Sequence, residues 1–106
     1  MDIFVVTVID YSDASNRPGR SKCSNVWLTE KEAVDSILEN HFDVWEGFTN
    51  EFAVIEKMEI GSPWTCEQVS WFKHERVIQE DKTIKHLVYE SERPKDWEGI
   101  TNLGIG

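Results

Sequence analysis

The run from Ile3 to Ile9 restricts the fold more than any other stretch of the chain. Ile3, Val5 and Ile9 fall on one alternating face, and Phe4, Val6 and Val8 on the other. A β-branched strand that is apolar on both faces must be covered on both, so this segment predicts a central strand. The remaining residues must supply its neighbours and its cover. With 106 residues, 40% of them hydrophobic, and five Trp, there is apolar material for one core, and a single domain over 1–106 is expected.

Loop chemistry follows over Tyr11 to Ser21, which holds Pro18, Gly19, Arg17 and Arg20, and a short second strand is expected over Ser24 to Leu28. Thr29-Glu30-Lys31-Glu32 is a capping box: the Thr29 hydroxyl accepts from a first-turn N–H while Glu32 reaches back to the cap. Ala33, Val34, Ile37, Leu38, Phe42 and Trp45 then share one arc at helical pitch, which predicts a helix from about residue 30 to 45, stopped at Gly47. Phe52 to Ile60 alternates as a strand and is broken by Gly61-Ser62-Pro63. Gln68 to Arg76 and Thr83 to Glu90 predict a hairpin, and Ile100 to Ile105 a last short strand. The sum is α+β: a mainly antiparallel sheet of five to six strands with one principal helix packed on one face.

Charge narrows the partners. Twenty Asp and Glu against 11 Lys and Arg leave a formal charge of −9, a field that repels bare nucleic acid and anionic membrane and attracts basic surfaces. On the expected helix, Glu32, Asp35, Glu39, Asp43 and Glu46 are spaced 3, 4, 4 and 3 apart and would form one acidic ridge. Like charges at these spacings cost roughly 0.2–0.5 kcal/mol per pair, and only Lys31 stands near to relieve them. A solvated helix face is the plain account of such a ridge, and a docking surface for a basic partner is the functional one. Trp64, placed in the Ser62-Pro63 turn, and Trp97, in the polar Lys95 to Glu98 stretch, are the expected aromatic anchors.

Signals for chemistry are sparse. The two cysteines, Cys23 and Cys66, share no motif, and no CxxC, HxxxH or HExxH spacing is present. A metal would require Cys23, Cys66, His74 and His86 to converge, with the two histidines facing each other across a three-residue hairpin loop. Arg17-Pro18-Gly19-Arg20 lacks a phosphate-loop pattern, and no strained nucleophile turn is evident, so no catalytic residue, metal or cofactor is assigned. The start, Met1-Asp2-Ile3-Phe4, lacks a basic signal-peptide region, and no run nears the roughly 18 apolar residues of a membrane span; a reduced, cytoplasmic protein is expected.

Several segments resemble, in the same order along most of the chain, a group of small uncharacterised proteins from phages and bacteria. They are Phe4-Val5-Val6-Thr7, Thr29-Glu30-Lys31-Glu32-Ala33, Ala53-Val54-Ile55-Glu56-Lys57, Trp71-Phe72-Lys73 and the close Gly99 to Gly106. Each is a strand or helix signature, so the resemblance implies a phage or prophage setting, hence a host cytoplasm, and no activity. The resulting expectation is a non-enzymatic acidic protein that occupies a basic surface on a host protein, such as a nucleic-acid-binding defence complex. A self-associating accessory domain, a homodimer through its sheet edge, is the second expectation. A small metal protein or enzyme is the third.

Overall fold

The computed structural model describes residues 1–11 and 20–93, with 63 and 64 as backbone. Five strands form one antiparallel sheet: β1 (Asp2–Asp10), β2 (Ser21–Trp27), β3 (Asn50–Glu59), β4 (Ser62–Ile78) and β5 (Ile84–Ser91). Their order across the sheet is β2-β1-β3-β4-β5. The doubly apolar opening run is an interior strand, paired with β2 on one side and β3 on the other. Val5 through Ile9 are all buried, which is what its lack of a polar face requires. The strand expected over Ile100 to Ile105 lies outside the described residues.

The helix α1 spans Glu30–Leu38. Thr29 caps it, its hydroxyl accepting from the Glu32 N–H at 3.2 Å and donating to the Glu32 carboxylate at 2.9 Å. The box thus closes on the Thr29 hydroxyl itself. Ala33 and Ile37 are fully buried in one cluster with Val6, Val8, Ala53, Ile55 and Phe72. Thr7, Ile9, Val54, Glu56 and Trp71 occupy the alternate sheet positions, and Ile9, Phe52, Val54 and Trp71 form a second buried cluster.

The helix is shorter than its apolar arc predicts. It ends at Leu38, and Asn40 turns into the left-handed region at φ 51°. Asn tolerates that conformation, and its side chain secures it by accepting from the Trp45 N–H at 3.0 Å. Trp45 folds back and donates from its indole nitrogen to the Ile37 carbonyl at 3.0 Å, a helix-end carbonyl that also accepts from the Asn40 N–H at 3.3 Å. Trp45 is therefore core, as its place in the arc suggests, but through a reversal of the chain and not through further helical turns. Between 40 and 48, Asn40, Phe42, Asp43, Glu46 and Phe48 all have positive φ, as does Gly47.

Two strand boundaries also move. β4 begins at Ser62, so Pro63 and Trp64 belong to a strand and not to a turn, and the reversal from β3 falls on Ile60-Gly61. Pro63 is tolerated because β4 pairs there with β3 alone, β5 joining only from Trp71 onward. The β4–β5 connection is five residues, 79–83, and it sets Arg76 opposite His86 and His74 opposite Val88.

Candidate functional site

The five carboxylates of the expected ridge do not share a helix. Glu32 and Asp35 lie on α1, Glu39 is its C-cap, and Asp43 and Glu46 follow in the left-handed segment. Most are partnered. Lys31 binds Asp35 at 2.7 Å, His41 lies 2.7 Å from Glu39, and Lys22 reaches Glu46 from β2. Glu46 also accepts from the Asn50 amide at 2.8 Å, and these two contacts hold its carboxyl below the usual carboxylate range. Asp43 accepts from the Gly47 N–H at 3.0 Å. The relief that Lys31 alone seemed to offer is shared with Lys22, which sequence distance hid.

Among these acids stands Phe42. It is 84% exposed, its φ is 54°, and its ring stacks on that of Trp27 at 6.4 Å between centroids. Trp27 is steadied in turn by donating to Asn25 Oδ1 at 2.6 Å. Leu38, at the end of α1, is 48% exposed. Leu38 and Phe42 share the helical arc of Ala33 and Ile37 in the sequence, but α1 ends at Leu38, so Phe42 is not carried round onto that arc. Of the expected anchors, Trp64 sits in β4 with only its backbone described, and Trp97 lies outside the described residues.

A second constellation was half legible in the sequence. His74 and His86 do meet, with His74 Nε2 and His86 Nδ1 2.9 Å apart. They meet on the diagonal of a five-residue hairpin and not directly across a three-residue one. Tyr11 donates its hydroxyl proton to the His74 carbonyl at 3.2 Å, and the same oxygen lies 3.0 Å from His74 Nδ1. Phe48 stacks on both imidazoles, 4.9 Å from His74 and 4.1 Å from His86, and Arg76 donates to the Phe48 carbonyl at 3.3 Å. His74 is fully buried; burial, then His86 and Arg76, push its imidazole below the usual value. A pocket of about 370 Å³ opens beside it, lined by Tyr11, Glu51, Lys73, His74, Glu75 and Arg76.

The cysteines lie elsewhere. Cys23 pairs with Thr7 across β1 and β2, and Thr7 donates to the buried Glu56 at 2.6 Å. Cys66 lies 3.6 Å from the same carboxylate, and burial followed by Glu56 pushes its thiol up to about 11. His74 alternates in phase with Phe72, whose side chain belongs to the cluster containing α1 residues, so the sheet separates the histidines from the cysteines. The convergence that a Cys–His metal site requires does not occur. Among the described residues no group of three or more His, Cys, Asp or Glu is placed to hold a metal. No helix among them is long and apolar enough to cross a membrane.

No protein-family model matches the chain, no curated protein is similar to it, and no solved structure matches its fold.

Proposed function

We propose that the protein is a non-enzymatic acidic binding protein that occupies a basic surface on a partner protein, in the host cytoplasm if the phage-type setting holds. A nucleic-acid-binding defence complex is the partner class whose surface chemistry fits, because its groove is basic. The observation that carries this reading is Phe42. A left-handed non-glycine residue costs roughly 1–2 kcal/mol, and an exposed aromatic ring adds an unfavourable apolar contact with water. The chain tolerates both at a single residue, on a firm Trp27 platform and in the same segment as Glu39 and Asp43. An aromatic anchor beside rim charges is the arrangement that gives an interface its affinity and its steering.

The test is capture from host lysate by immobilised protein across a salt series. Phe42→Ala alone should weaken capture of a basic protein by about tenfold or more, the scale of a hot spot. Reversal of Glu32, Asp35, Glu39 and Asp43 to Lys should abolish it, and both variants should stay folded by circular dichroism. Capture that survives both sets of changes removes this surface as the contact.

Self-association is the second reading, favoured by the β4–β5 hairpin. Ile78 and Ile84 sit opposite each other near its tip, 75% and 57% exposed. Light scattering decides it: a dimer that Ile78→Lys converts to monomer supports this reading, and a wild-type monomer ends it.

A further inference from the structure

The histidine pair joins three parts of the chain that sequence does not connect: the end of β1 through Tyr11, the β4–β5 hairpin, and the segment 44–49 through Phe48. We infer that the His74–His86 contact is a proton-operated latch, which holds Phe48 and its segment on the sheet with zero or one added proton and releases them at the second.

The hydrogen-bond pattern sets that limit. With the Tyr11 hydroxyl proton on the His74 carbonyl, His74 Nδ1 carries a hydrogen and donates to the Tyr11 oxygen. Neutral His74 then has a bare Nε2, which accepts from His86 Nδ1–H across 2.9 Å. The other nitrogen of His86, an exposed residue, takes no part in these bonds. Were the Tyr11 proton on His74 Nδ1 instead, His74 Nε2 would donate to His86 Nδ1, and the two facing nitrogens would still share a single hydrogen. With both rings charged, His74 Nε2 and His86 Nδ1 each carry a hydrogen, and the two hydrogens point at each other. Two imidazolium N–H groups cannot share that distance, so the rings part and the stack under Phe48 is lost.

The surroundings oppose that second charge. Arg76 stands close enough to disfavour it and holds the Phe48 carbonyl. Glu51 from β3 and Glu75 and Lys73 from β4 line the adjoining pocket, where the two acids face the two cations Lys73 and Arg76. From segment 44–49, Glu46 is occupied by Lys22 and Asn50, and Trp45 presents only a ring, 6.0 Å from His74. A base whose folded value lies below its unfolded one binds fewer protons when folded. Its contribution to stability is therefore full above about pH 6.5, the unfolded imidazole value, and is lost as pH falls below that toward the lowered folded value.

The experiment is ¹⁹F NMR of the full chain labelled with fluorophenylalanine, with the Phe48 signal assigned through Phe48→Leu. As pH falls from about 7.5 to about 4.5, the Phe48 signal should move to the position of a solvated ring while the Phe72 core signal stays in place. His86→Gln retains a partner for His74 Nε2 that cannot be protonated, and should keep Phe48 in place over the same range. The Phe72 signal reports directly whether that variant is folded. In wild type, amide exchange of 44–49 at low pH should rise about tenfold relative to β3 after correction for intrinsic rates. The latch is overturned if Phe48 never moves, if Phe48 and Phe72 move together, or if His86→Gln opens at the wild-type pH. None of these readings depends on a partner binding near Phe42.

Discussion

Phe42 costs the fold twice, once in its backbone and once in its exposed ring, and both costs can be relieved separately. Asn adopts φ near 54° readily, so Phe42→Asn should raise stability by about 1 kcal/mol in thermal or urea unfolding, even though the stack on Trp27 is lost. No change, or a loss, would mean that the Trp27 stack outweighs the strain. At Cys66 burial raises the thiol first and the neighbouring Glu56 charge adds to it. With Cys23→Ser to remove the exposed thiol, alkylation of Cys66 by iodoacetamide near pH 8 should be slow, because a thiol at about 11 is almost wholly protonated there. Adding Glu56→Gln removes a negative charge that raises the thiol, and the rate should increase. An unchanged rate would assign the protection to burial alone.

At the scale of elements, α1 is held at both ends by single side chains. Trp45→Phe keeps most of the buried ring but removes the indole donor from the Ile37 carbonyl, which retains the Asn40 N–H at 3.3 Å, and should cost about 0.5–1.5 kcal/mol. A cost below about 0.5 kcal/mol would show that the Asn40 N–H alone satisfies that carbonyl. The start of α1 was legible because Thr29 and Glu32 form a pattern that only a helix start satisfies. Its end was not, since Trp45 lies eight positions after Ile37 and fits a helical arc as well as it fits a folded-back turn. No Gly or Pro marks Asn40, and positive φ at Phe42 and Phe48 has no residue-type signal. β1 was legible for the opposite reason: a strand without a polar face has few places to go. The acidic residues were visible, but their partners were not, because Lys22 meets Glu46 from another element. The histidine contact needed a register, and a register needs a loop length that sequence alone left at three residues instead of five.

For the whole molecule, the net charge of −9 outweighs the ion pairs that relieve it locally. Screening should therefore weaken repulsion more than attraction. The melting temperature should rise by about 2–6 °C between roughly 0.05 and 0.5 M sodium chloride at pH 7.5, where the Debye length falls from about 14 to about 4 Å. A falling melting temperature would show that the pairs at Asp35 and Glu46 matter more than the excess. The register of β4 has a mechanical consequence. It pairs with β3 from Ser62 to Lys73 and with β5 from Trp71 to Ile78, so both neighbours are present only over Trp71 to Lys73. Beyond that overlap the hairpin is a cantilever, built in over three residues and stayed by Tyr11 on His74 and by Arg76 on Phe48. A load applied at Ile78 or Ile84 bends it about that root, and the first contacts to feel the torque are those around His74.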